Sequence, residues 1–173
     1  MPQSPQTLRP DIAYVTVGFC RARGIASRLI EWFGASYYSH VTTLCLDRQN
    51  VIDARLNGGV RRRPLSYLVK ETIDWYALEC TPEQLAAVMG FLSAQIGKRY
   101  DIRAIWHFVT GQVRDHNWTR RTAWFCDELA AASWIQAGIA KRTMPTMPLY
   151  RITPGGSALI LSQLKYRQVE VKV

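Results

Sequence analysis

A chain of 173 residues, 48% hydrophobic and 20% charged, has room for one domain with its own core and too little for two. Its formal charge of +9 excludes an acidic surface and favours anionic neighbours: nucleic acid, acidic lipid headgroups or an acidic cell-wall polymer. Cys20, Cys45, Cys80 and Cys126 stand far apart, with no CxxC pair and no Cys/His cluster at zinc spacing, which argues against a metal finger and against a disulfide framework.

Residues 1–10 read as a flexible tail without the apolar stretch of a secretory signal. "DIAYVTVGF" (11–19) alternates with the period of a strand. After Gly24, "IASRLIEWFG" puts Ile25, Leu29, Ile30 and Phe33 on one helical face and stops at Gly34. "SHVTTLCLD" (39–47) is apolar or small on both sides, so the spacing predicts a strand buried on both faces. "RQN" turns the chain, "VIDARL" (51–56) returns as the second arm of a hairpin, and "NGG" (57–59) makes the next turn. The following "RRR" at 61–63, like "TRR" at 119–121, reads as a solvated face. "TIDWYALEC" (72–80) is a further strand.

"TPEQLAAVMGFLSAQIG" (81–97) is the clearest helix: Thr81 caps it, Pro82 takes its first position and Gly97 closes it. "YDIRAIWHFVTG" (100–111) leans helical, and "QVRDHNWTRR" is a charged loop. A second helix follows from Cys126 and stops at Gly138. Residues 143–156 are proline-punctuated and extended, and "KYRQVEVKV" alternates as a closing strand. The expected architecture is one α+β domain over residues 1–173, an antiparallel sheet with helices to one side. No stretch approaches the ~20 apolar residues that span a bilayer, and the expected setting is a reducing cytoplasm.

Cys126 begins a helix. Unpaired N–H groups and the positive end of the helix dipole favour a thiolate there, and the same groups can receive an oxyanion. Cysteine chemistry also needs an imidazole, and a third group to orient it. His40 starts a buried strand and is the best of three histidines; His107 sits in an apolar segment and His116 in a charged loop. The hairpin supplies Asp53, roughly opposite Leu44 and within reach of the far ring nitrogen of His40. The bland alternative is a buried structural thiol at Cys126, the reading that also suits Cys20, Cys45 and Cys80.

In order, "YYSHVTTLCLDRQNVIDARLNGGVRRRPLSYL", "IGKRYDIRAI" and "WFCDELAAASWIQAGI" resemble the permuted papain-like hydrolases of the YiiX/YaeF type, relatives of the NlpC-type cell-wall peptidases. The matching positions are Ser39, His40 and Val41; Asp53 and Ala54; Gly97, Lys98, Tyr100 and Asp101; and Cys126, Glu128 and Leu129. The resemblance spans residues 11–155. It implies Cys126 as nucleophile, His40 as general base, Asp53 as the orienting acid and Tyr100 on the cleft wall. Separately, Tyr38 and Trp124 are candidate substrate-facing residues, with simple packing as the alternative for Tyr38. The resemblance implies a cysteine peptidase or amidase needing neither cofactor nor metal, acting on a peptide, a peptidoglycan stem or an acylated small molecule or lipid. Asp127 stands where the pattern usually has serine, placing a negative charge beside the thiol. The competing function is a non-catalytic basic module, with Arg61, Arg62, Arg63, Arg120 and Arg121 near Trp118 and Trp124, holding nucleic acid or an anionic membrane or cell-wall polymer.

Overall fold

The computed structural model describes residues 11–21, 37–102, 122–140, 157 and 160–172. Among the expected elements, the 1–10 tail, the helix after Gly24, the stretch beyond Ile102 with His107 and His116, the loop carrying Trp118, Arg120 and Arg121, and the 143–156 segment lie outside them.

Strands β1 (Ala13–Arg21), β2 (His40–Leu44), β3 (Asn50–Arg55), β4 (Gly59–Pro64), β5 (Thr72–Cys80) and β8 (Tyr166–Val169) form one sheet in the order β4-β3-β2-β1-β5-β8. Every neighbouring pair is antiparallel, and short turns join β2 to β3 and β3 to β4. Helix α1 (Pro82–Gln95) and helix α2 (Cys126–Gln136) complete an α+β domain, together with a parallel pair, β6 (Arg99–Tyr100) and β7 (Ala123–Trp124). No helix among the described residues is long and apolar enough to cross a membrane.

The period of two sorts the side chains. Val15, Val17, Phe19, Val41, Ile52, Ala54, Val60 and Leu78 meet Val88 and Leu92 of α1 and Leu129, Ala130 and Trp134 of α2. Leu44, Val51 and Trp75 pack on the opposite face with Leu65 and Leu68, which lie on a short 3-10 turn. All five residues of β2 are therefore buried, as its two-sided pattern predicts. Gly18 faces Trp75 across the ladder, and a Cβ there would come within 2.9 Å of the Trp75 ring; only glycine lets the indole lie over β1.

Helix α1 starts as its sequence dictates. The Thr81 hydroxyl accepts the Gln84 N–H, and the Gln84 side chain accepts the Thr81 N–H, closing a capping box. Gly97 ends the segment at φ +90°. The run Arg61–Arg63 lies in a strand and is not wholly the solvated face expected: Arg61 and Arg62 are exposed, but Arg63 is buried. At its start Gly59 has φ +66°, and a Cβ there would lie 2.1 Å from the Lys98 carbonyl oxygen. That close approach joins β4 to the segment entering β6 through paired bonds, Val60 N–H to the Lys98 carbonyl and Gly97 N–H to the Val60 carbonyl.

Candidate active site

The β2–β3 hairpin builds the first half of the site. Thr43 faces Ile52 and Leu44 faces Val51, so Val51, and not Asp53, lies opposite Leu44. One step further along that register puts Asp53 beside Thr42, two residues nearer His40 than the sequence suggests. His40 and Thr42 share a face of β2, and across it the His40 Nε2 lies 2.9 Å from Asp53 Oδ2. The contact expected from the sequence is present, reached through a shifted register.

Asp53 is 1% exposed, and such burial alone would drive a carboxyl toward neutrality. Its partners reverse that. Arg55 donates Nε–H to Oδ2 at 2.6 Å, and Arg63 donates Nη1–H to Oδ1. Burial pushes upward, but the His40 hydrogen bond and the Arg55 charge outweigh it and hold Asp53 at about 2. Arg55 is itself fixed, donating to both oxygens of Glu71 at 2.6 and 3.1 Å. Arg63 spends its other donors on the Gly59 and Asn57 carbonyls at 3.3 and 3.4 Å, and both guanidiniums stand over the Tyr67 ring. Asp53 is therefore a permanent anion in a cationic cradle, which suits a group that orients and stabilises an imidazolium.

The second half comes from α2. Phe125 is its N-cap in extended conformation, and the Phe125 N–H is accepted by Glu128 in the first turn. This leaves Cys126 at the first helical position, packed against β2, where its sulfur accepts the backbone N–H of Val41, the residue after His40. The thiol thus lies against the backbone of the residue that follows His40. Cys126 is only 2% exposed, and its thiol donates to Asp127 Oδ2 at 3.2 Å. Burial pushes the thiol well above its ordinary value and the Asp127 charge adds to this. The resting group is a neutral thiol, contrary to the thiolate expected from the helix N-terminus: desolvation and a carboxylate in contact outweigh a partial dipole charge.

Asp127 is fully buried, and burial pushes it up to about 7. Its Oδ1 has no hydrogen-bond partner among the described residues. Glu128 is also pushed up to about 7, by burial first and by the charge of Asp101. Its bond to the Phe125 N–H makes it a helix cap.

Tyr100 pairs in register with Trp124 across β6 and β7, and its ring lies 5.7 Å from that of Phe125. Burial pushes its hydroxyl up, and the nearby Cys126 and Asp127 push it further, so Tyr100 lies in electrostatic reach of the sulfur. Trp124 is turned to α1: its indole N–H donates to Gln95 Oε1 at 3.0 Å and its ring meets Phe91 edge-on. Tyr38 donates its hydroxyl to Asp74 Oδ2 at 2.8 Å and packs on Phe19. His40 is brought to Asp53 and Tyr100 to Cys126, whereas Tyr38 and Trp124 have their polar atoms engaged in the fold.

No protein-family model and no curated protein matches this chain. The site must be read from its own chemistry. With Asp53 ionised, Nε2 of His40 carries the proton and donates it to Oδ2, which leaves Nδ1 as the proton acceptor. The start of α2 adds the buried Cys126 thiol, held against the Val41 N–H, at the end of a helix whose dipole is positive. Arg55, Arg63 and Glu71 were not signalled by the sequence. The alternation of "RRR" opposite the Asp53 strand was the available hint, since Asp53 faces Arg61 and so shares its face with Arg63.

Proposed function

We propose that this chain is a thiol hydrolase of the permuted papain-like type, cleaving an amide or ester through Cys126, His40 and Asp53. The observation that carries it is the buried 2.9 Å His40–Asp53 bond beside Val41, whose N–H is given to the Cys126 sulfur. The order His40, Asp53, Cys126 along the chain and the antiparallel sheet with α2 docked on β2 support the same reading.

In the reaction the Cys126 S–H bond breaks as sulfur attacks the substrate carbonyl carbon, and the proton passes to Nδ1 of His40. Because the resting thiol is neutral, transfer accompanies attack instead of preceding it, and His40 acts as a general base. Asp53 balances the imidazolium. The tetrahedral oxyanion is received by N–H groups at the start of α2. His40 then protonates the leaving amine or alcohol, and water, deprotonated by the same imidazole, releases the acyl group from sulfur. The substrate classes that fit are a peptide, a peptidoglycan stem or an acylated small molecule or lipid.

The basic-module reading draws less support. Arg63 of the triplet is turned inward to Asp53 and Arg62 is paired with Asp47, so Arg61 alone of the three lacks a carboxylate partner among the described residues.

The test is hydrolysis of a panel of p-nitrophenyl acyl esters and short peptidyl anilides by the full chain. Cys126→Ala is expected to fall to the uncatalysed rate, and His40→Ala by about 10³-fold or more. Cys126→Ala hydrolysing at the parental rate would overturn the proposal.

A further inference from the structure

The mechanism above leaves one buried carboxyl unused. Asp127 is wholly enclosed, touches the nucleophile at 3.2 Å, and turns its second oxygen to a place where no described residue bonds it. The buried Ser157 hydroxyl lies near Asp127 and favours its ionised form, and it too is without a close partner among the described residues. A helix cap does not require this arrangement, because Glu128 already accepts the Phe125 N–H.

We infer that Asp127 is the proton-holding partner of the nucleophile: its neutral form permits attack by Cys126, and its ionised form suppresses it. The inference rests on Cys126 being the nucleophile of the proposed hydrolase.

The argument is one of charge and hydrogen bonding. When Asp127 is ionised, Oδ2 accepts the thiol proton, so the S–H is held away from His40. Moving that proton to Nδ1 would then leave two anions 3.2 Å apart in an interior site, where their repulsion is weakly screened. When Asp127 is protonated, its O–H can turn toward sulfur and donate. Attack then breaks the S–H bond, forms N–H at Nδ1 of His40, and leaves sulfur's developing charge hydrogen-bonded to a neutral acid. Loss of the Asp127 proton restores the blocked arrangement: carboxylate, thiol and free imidazole.

The groups facing this pair do not cancel the effect. Tyr100 of β6 is neutral, Glu128 on the same turn is an acid with Asp101 close by, Ser157 is uncharged, and β2 contributes the Val41 N–H. The arginines of the cradle are committed to Asp53 and Glu71. Burial places the Asp127 transition near 7, so the switch falls within the range where an ordinary thiol is becoming more reactive.

The experiment is the pH dependence of alkylation of the full chain by iodoacetamide, read at Cys126 by peptide mass spectrometry. The parent rate at Cys126 is expected to pass a maximum near neutrality and fall severalfold by about pH 8.5, where a free thiol would speed up about tenfold for each pH unit below its pKa. Asp127→Asn is expected to lose the decline and to react about tenfold faster than the parent at about pH 8.5, while Glu128→Gln keeps the decline. Asp127→Ser replaces Asp127→Asn if the latter does not fold. A profile that rises through about pH 8.5 and is the same in both Asp127 variants, yet drops with His40→Ala, overturns the role of Asp127 alone. A Cys126 rate indifferent to His40→Ala at every pH overturns this inference and the hydrolase reading together.

Discussion

Asp53 and Asp127 are both buried to 1% exposure or less, yet one is held at about 2 and the other near 7. The environments differ in partners, not in depth. Asp53 receives His40 and two arginines; Asp127 has a thiol and a weakly placed hydroxyl. Burial sets the size of the electrostatic stakes, and the neighbours decide the sign. The site therefore combines a carboxylate that stays charged throughout the neutral range with one poised to change its charge there.

The largest break in that contrast should come from emptying the cradle. Asp53→Ala leaves Arg55 and Arg63 without their buried anion and is expected to cost about 3–5 kcal/mol in urea unfolding, whereas Asp127→Asn should cost little at neutral pH. Asp53→Asn, which keeps the volume but favours the wrong imidazole tautomer, should lower ester hydrolysis by about 10³–10⁴-fold. Equal unfolding midpoints for Asp53→Ala and the parent would show that the cradle contributes nothing.

Next in size is the pH dependence of stability, where the two carboxylates pull in opposite directions. Asp127 holds its proton more tightly folded than unfolded. Its contribution is therefore greatest below the ordinary 3.8 and is lost as pH rises to about 7, a change of roughly 4 kcal/mol. Glu128 adds to the same slope. Asp53, held at about 2, contributes stability above its ordinary value and loses roughly 2 kcal/mol as pH falls toward 2. Urea midpoints measured across this range should decline from about pH 4 to 7, and Asp127→Asn should flatten the decline.

Two smaller substitutions sharpen the comparison. Gly59→Ala forces a side chain into the left-handed region and against the Lys98 carbonyl, and the Gly59 carbonyl is a partner of Arg63. We expect a loss of about 2 kcal/mol, with the Asp127-dependent pH slope unchanged. Thr81→Ala removes the α1 capping box far from either carboxylate. It should cost about 1 kcal/mol and leave both the slope and the hydrolysis rate as they were, when checked by urea titration and ester assay.

How much of this is legible in the sequence follows the range of the interactions. The hairpin, α1 with its cap and the start of α2 at Cys126 are written locally, in alternation, in Thr81-Pro82 and in glycines. The His40–Asp53 pairing was readable because both lie on one hairpin, though its register was not: Thr43 facing Ile52 depends on which residues make the turn. Arg63 was not readable, because a triplet of arginines looks solvated until the strand opposite it is known to carry a buried acid. The neutral state of Cys126 was hidden for a related reason. A helix start argues for a thiolate, and only the tertiary enclosure of sulfur beside Asp127 reverses that.

The bond from the Val41 N–H to the Cys126 sulfur ties the second half of the chain to the first. Hairpins close over short loops and form early, while docking α2 onto β2 closes a long one and carries a larger entropic cost. The thiol is consequently a built-in clock for the last stage of folding. In a refolding time course, protection of Cys126 from alkylation should lag behind formation of the β2–β3 hairpin, and catalytic competence should arrive with that protection and not with the sheet.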